Sequence, residues 1–456
     1  MNIINIAYSG LQASQIGMGV TSMNVANMLT PGYTRQSATQ SSVGPLGEAG
    51  MSAGSGVRVD SIRRVSDQYL VNQIWQSNTK AEYYGMTDQY TSALEKVVGT
   101  DSTSLGTGFD DFFSALSSLT TQPESEANRQ QLLNQGNALA TRFNSMDAFI
   151  GSQKEQIHSQ RDALVIKVNT LSEQIADYNK KITESEASGG NSNTLRDQRD
   201  DLVKELSGVI DVNVTEDANS NYTVALKGGQ PLVSGRTAGT LSTDYDTEGN
   251  SSLNLSFSKS DFPLSPSVGG EMGALYDYET GTLQDMRDSI RGMAESFATQ
   301  FNDQLAQGYD LNGDPGQPMF IYDPTSPKGI LQVTDLQPDQ IALSGQPDEP
   351  GNGDNLQSLI EIKNKKVDIP GMGNMSLNEG AAAIVSNIGI ASKQTKAELS
   401  AAQAVSDQAQ VQRDNVSAVN QDEEAINLQT YMQAYQANMK VISTGNQVFS
   451  DLLGLF

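Results

Sequence analysis

The residue types that build catalytic sites are scarce in this chain. His158 is its sole histidine, and it has no cysteine. With one imidazole and no thiol, the His- and Cys-based nucleophilic and zinc arrangements are unavailable, and disulfides are ruled out. His158 falls near the apolar seam of a long helical segment, so it reads as a packing or solvent-facing residue. One string has metal-like spacing: Asp310, Asn312 and Asp314 alternate, with Gly316 two residues on. A calcium loop starting at Asp310 needs Gly at its sixth position and Glu at its twelfth, and Pro315 and Ile321 stand there instead. An acidic turn is the better reading. No GxxxxGK phosphate loop occurs, and the abundant Asp and Glu make paired carboxylates by chance, which is no sign of a glycosidase. The expectation is a protein that is not an enzyme and has no cofactor, no metal site and no catalytic residue.

The elements carrying these residues read mainly as helices. Leu70, Ile74, Ala81, Tyr84 and Leu94 space a helix from about residue 66 to 98, and Phe109, Phe112, Phe113, Leu116 and Leu119 space a second. From Pro123 to about Glu186, the residues Ile157, Leu164, Val168, Leu171, Ile175, Tyr178 and Ile182 fall near heptad spacing, and His158 lies among them. Gly189-Gly190-Asn191 marks a turn back into a helix over 195–206. Around Gly208 the period drops to two: Ile210, Val212 and Val214, then Tyr222, Val224 and Leu226, predict a β-hairpin, with another strand at Leu253, Leu255 and Phe257. Helical spacing returns over 273–307. Residues 308–369 read as loops and short strands, and 377–417 as a sparse helix.

The two ends carry the most distinctive pattern. Ile4, Leu11, Met18 and Val25 recur every seventh residue, with small residues between, and no charged residue occurs before Arg35. At the other end Asn420 and Asp422, Glu423 and Glu424 suit a helix start. Ala425, Leu428, Met432, Tyr435, Met439, Ile442, Asn446, Phe449 and Leu453 then follow steps of three and four, with only Lys440 and Asp451 charged after Glu424. Gly10, Gly17 and Gly19 each cost about 1 kcal/mol in a helix interior relative to Ala. One partner helix is little recompense, so both ends read as assembly elements that order only among several copies. An Asp at Leu11 or at Met439 is then expected to spare the folded body and block assembly. Pro31-Gly32 ends the first segment, and 34–56 reads as a connector before the strand-like Val57, Val59 and Ile62.

Two motifs make the ends specific. ANMLTPGYTRQ, with Ala26, Asn27, Thr30, Pro31, Gly32 and Tyr33, and DEEAINLQTYMQAYQANMKVIST from Asp422 to Thr444 resemble the terminal signatures of bacterial flagellar axial proteins. Within that group, LRDQRDDLVKEL at 195–206 and QFNDQLAQGYDLNGDPGQPMF at 300–320 resemble the hook-associated proteins of the hook-filament junction. The resemblance implies an extracellular structural subunit, exported through the flagellar type III system by an uncleaved N-terminal signal. Its implied partners are further copies in a ring, the hook protein and the next hook-associated protein. It also implies a cytoplasmic export chaperone on the C-terminal helix, where Leu428, Met432, Tyr435, Met439 and Ile442 are the candidate contacts.

The fold expected is mainly α with a β insertion: N- and C-terminal helices forming a coiled-coil-like terminal domain (1–60 and 395–456), a long helical bundle (61–207 and 270–394) and a smaller β-rich outer domain (208–269). A net charge of −25 and a pI near 4.3 oppose binding to nucleic acid or an anionic membrane. No apolar run reaches the roughly 18 residues of a membrane span, and the N-terminus lacks the pattern of a cleaved signal peptide. The competing expectation is a secreted acidic coiled-coil scaffold or adhesin that binds surface ligands through its β region.

Overall fold

A computed structural model describes residues 2–44, 54–247 and 249–454. Part of the expected connector over 34–56 and the last two residues of the C-terminal segment, 455 and 456, lie outside the described residues. The chain forms two compact units. One comprises Met1–Ala81, Val165–Gly270 and Ala401–Phe456; the other comprises Glu82–Leu164 and Glu271–Ser400.

In chain order the elements are α1 (Asn2–Ala26), β1 (Gln36–Val43), β2 (Gly56–Arg64), α2 (Gln68–Val98), α3 (Leu105–Ser118), α4 (Glu126–Ala187) and α5 (Asn193–Val209). Seven strands follow: β3 (Val212–Glu216), β4 (Tyr222–Leu226), β5 (Pro231–Ser234), β6 (Thr237–Ala238), β7 (Thr240–Tyr245), β8 (Ser251–Phe257) and β9 (Ser260–Leu264). Next come α6 (Gly270–Tyr278), α7 (Gln284–Leu305), β10 (Phe320–Tyr322), β11 (Leu331–Val333), α8 (Asp354–Glu361), β12 (Val367–Ile369), β13 (Gly373–Met375), α9 (Leu377–Ser417) and α10 (Gln421–Leu453). The architecture is mainly helical, with long helices at both ends around a β-rich middle region. Helices α2, α4 and α9 contribute residues to both units.

In the first unit the period-two alternation does what the pleat requires. Tyr222, Val224 and Leu226 are buried while Thr223 and Ala225 between them are less so, and β4 pairs antiparallel with β3, Val214 opposite Val224. Strands β3-β4-β5-β6 form one sheet and β7-β8-β9 another. Leu253 and Leu255 point β8 inward. The stretch read as a connector contains a strand: β1 pairs antiparallel with β2, Gln36 opposite Arg64, with a bulge at Thr39/Gln40. Its sequence, QSATQSSV, lacks the apolar alternation that marks a half-buried strand, because this ribbon is held by its ladder and by the flank of α1 rather than by a hydrophobic face.

The second unit is centred on aromatic rings. Phe112 is fully buried, with ring centroids of Phe113, Phe297, Phe301 and Phe320 between 5.2 and 5.7 Å away, mostly edge to face. Burial of each ring is worth about 1.5–3 kcal/mol, and each such pair about 0.5–1.5 more. Ser104 caps α3 by accepting the Thr107 N–H at 3.2 Å. The helix expected over 273–307 is broken by a π turn at Glu279–Leu283. That turn aims Glu279 at α4, where its carboxylate accepts from Arg161 Nη2 at 2.6 Å and meets His158 Nε2 at 2.8 Å. Helix α8 lies where loops and short strands are expected; at eight residues it is too short for its period to register, though Leu356 and Leu359 are buried.

Candidate assembly interface

Helices α1 and α10 lie antiparallel, with close approaches seven residues apart along α10 and six or seven apart along α1. A Cβ added to Gly10 would stand 2.7 Å from Asn438 Nδ2, one on Gly17 would stand 2.6 Å from the Tyr431 ring, and one on Gly445 would stand 2.9 Å from Ile4 Cγ1. The next pair in the series is Asn24 with Glu424. Small residues on one helix thus receive large side chains of the other. Gly10 and Gly17 are points where one partner helix comes close, so their helix-propensity cost is offset by contact within the chain rather than by further copies. Of the three glycines of α1, Gly19 alone would meet nothing within 4 Å.

Asn24 closes the seam. It is 1% exposed, and both amide hydrogens and both lone pairs of its side chain are used. Its Nδ2 donates to the Gln36 carbonyl at 2.9 Å and to Glu424 Oε1 at 3.0 Å; its Oδ1 accepts the Tyr33 hydroxyl at 2.9 Å and the Gln36 N–H at 3.0 Å. One amide therefore joins the end of α1, the turn, the start of β1 and the first turn of α10. Asn420 caps α10 by accepting from the N–H of Asp422 at 3.0 Å and of Glu423 at 3.4 Å. Burial, with the negative charges of Asp197 and Glu424 behind it, pushes the Tyr33 phenol above its ordinary range.

The residues singled out from sequence divide between two faces. Leu11 is 8% exposed, Ile4, Met18, Leu428, Tyr435 and Ile442 are half-buried, and Val25, Met432, Met439, Phe449 and Leu453 are exposed. On α1 the apolar seventh-residue line runs one position after the close-approach line 10-17-24; on α10, beside 424-431-438-445, Met432 and Met439 likewise run one position after, while Leu428, Tyr435 and Ile442 run three positions before and are half-buried. Packing is closest where side chains are small, and part of the apolar line is left facing outward. Beside Gly445 the pair carries an open apolar groove between Ile3 and Val441, Val448, Phe449 and Leu452.

The turn motif is built against the chain's interior. Ala26 ends α1, Asn27 Nδ2 donates to the Met23 carbonyl at 2.9 Å, and the Thr30 hydroxyl donates to Asn27 Oδ1 at 3.3 Å. Pro31 is exposed, and Gly32, at φ 78°, seats the turn on the Asp201 carboxylate, which occupies the space a Cβ would need. The Thr34 N–H donates to Asp197 Oδ2 at 3.1 Å. Two stretches read only as separate family marks, TPGYT and LRDQRDD, therefore touch. The acidic string at 310–314 is likewise a turn: Asp310 Oδ1 accepts the N–H groups of Asn312 at 2.8 Å and Asp314 at 2.9 Å. Among the described residues no three His, Cys, Asp or Glu side chains gather to hold a metal ion, and no helix is long and apolar enough to cross a membrane.

Comparison with known proteins matches this arrangement segment by segment. Residues 91–320 fit the family described as the flagellar hook-associated protein FlgK helical domain, 4–34 the flagella basal body rod protein family, and 411–455 the flagellar basal body rod FlgEFG protein C-terminal family. The chain is 26% identical over 548 aligned residues to flagellar hook-associated protein 1 of Escherichia coli K12, with all of both chains covered. It is 25% identical to the Bacillus subtilis protein of the same name, covering 99% of this chain and 97% of that one. The solved structure of the flagellar hook junction protein FlgK from Burkholderia pseudomallei shares the fold, at a TM-score of 0.68 and 18% identity over 76% of this chain and all of that one. With the helical domain matched over half its length and rod-type segments at both ends, the chain belongs to the flagellar hook-associated protein 1 family and is a structural, extracellular component of the bacterial flagellum.

Proposed function

We propose that this chain assembles as a ring at the hook-filament junction and connects the hook to the filament, with its terminal helices as the assembly domain and the β-rich 208–269 segment as an outer domain. One observation carries the reading: the α1–α10 pair closes its own seam and still leaves Met432, Met439, Val448 and Phe449 of α10 exposed. Apolar surface of that extent calls for a protein neighbour. Further copies, the hook protein and the next hook-associated protein are the neighbours in this reading. The adhesin alternative has no observation in its favour, since the family match runs through the β region. A deletion strain examined by electron microscopy tests the proposal. Hooks without attached filaments are expected; normal filaments, or loss of the hooks themselves, would refute it.

Export through the type III system needs the apolar face covered beforehand. The chaperone proposed for Leu428, Met432, Tyr435, Met439 and Ile442 would have to hold α10 before α1 pairs with it, because Leu428, Tyr435 and Ile442 are half-buried in the folded chain. Each such side chain is worth about 1.5–3 kcal/mol when buried. A chain ending at Asn420 should lose the chaperone in pull-down from cytoplasm. Undiminished capture contradicts this assignment.

A further inference from the structure

Between the turn and the sheet of the first unit lies an ionic cluster that nothing above requires. Arg64 Nη1, at the end of β2, bridges two carboxylates of α5, Asp197 Oδ1 at 2.8 Å and Asp200 Oδ2 at 2.7 Å. All three side chains are largely buried. Each carboxylate has a second donor on a different element: the Thr34 N–H reaches Asp197, and the Tyr222 hydroxyl of β4 reaches Asp200 Oδ1 at 2.7 Å. Tyr222 is itself wedged, with the Arg199 guanidinium 3.4 Å above its ring centroid and the Trp75 ring edge-on at 6.0 Å. Opposite α5, Arg413 of α9 donates to the Gly32 carbonyl at 3.1 Å and the Thr34 hydroxyl at 2.9 Å, so the turn is gripped from two sides.

Removing charged groups from water costs much of what their pairing returns, so a buried bridge of this kind is a poor device for stability alone. It is a good device for fixing geometry. Apolar surfaces slide with little penalty, whereas one guanidinium shared by two carboxylates, each held by a further donor, has a single arrangement. We propose that Arg64, Asp197 and Asp200 form an orientation clamp that fixes the direction in which the terminal helix pair leaves the α5–β4 body. The proposal rests on the assembly reading above: the clamp sets where the outer apolar face of α10 is presented to neighbouring copies. Arg64, Asp197 and Asp200 act as positioning residues, since none of them lies on that face.

The lack of cysteine allows a direct test on the isolated, dilute chain. Spin labels on cysteines placed at Lys227, past β4, and at Gln433, on the exposed side of α10, report one distance across the clamp. The parent should give a single narrow distribution. Arg64→Met and Asp197→Asn should broaden it, while Arg58→Met, which breaks a surface pair with Asp60, should not. Arg64→Gln keeps a polar side chain but removes the cation that the two carboxylates share, and it should broaden the distribution with the chain still folded by circular dichroism. That variant carries the test if Arg64→Met fails to fold. A broad distribution in the parent, or distributions of the folded Arg64 variants that overlay the parent, would overturn the clamp. Because assembly plays no part in the readout, these results are separable from failure of the junction role.

Discussion

Met439→Asp should leave the melting temperature of the isolated chain unchanged and abolish filament attachment, whereas Leu11→Asp should lower that temperature sharply. The two positions looked equivalent as seam residues. In the structure Met439 is 46% exposed on the outer face, so an aspartate there stays hydrated in the free chain and is buried only when a neighbour arrives. Leu11 is buried, so a charge there costs several kcal/mol unless it escapes, and the lost packing adds about 2 kcal/mol or more. The expectation that both would spare the folded body is therefore kept, as a prediction, for Met439 and reversed for Leu11. Thermal unfolding followed by circular dichroism, beside a swimming assay, separates the two. A cooperative loss of stability in Met439→Asp would place the outer face inside the folded monomer.

The second large effect concerns the glycine seam, where two positions two residues apart should respond with opposite sign. Gly17→Leu puts a branched side chain where the Tyr431 ring stands 2.6 Å from the ideal Cβ, and overpacking of this kind costs about 1–3 kcal/mol, more than the roughly 1 kcal/mol gained in helix propensity. The α1–α10 pair should loosen. Gly19→Ala meets nothing within 4 Å and should keep most of its propensity gain. Amide exchange of residues in α1 reads both. Equal protection in the two variants would mean that the seam is not packed as described.

The helices were legible because long amphipathic periods survive in the sequence, as did the hairpin at Val214 and Val224, where burial alternates with the pleat. The seam was legible in existence and misread in position. Periodicity arguments follow large apolar residues, while the contact follows Gly10, Gly17 and Asn24, whose own seven-residue spacing was the available signal. Strand β1 was hidden because its residues are polar. Asn24, Glu424 and the Arg64 cluster were invisible for a different reason: each is defined by partners distant in sequence, as with the Asn24–Glu424 bond, which spans 400 residues. Local pattern carries no information about such pairs.

The central claim is that the inner face of the terminal pair folds the chain and the outer face assembles it. A photo-crosslinking amino acid placed at Met439 or at Tyr431 tests this in flagella assembled in cells. At Met439 it should yield adducts to neighbouring subunits that are absent from the dilute monomer; at Tyr431, which packs on Gly17, it should yield adducts within the chain alone. Intermolecular adducts from Tyr431 with none from Met439 would contradict the account.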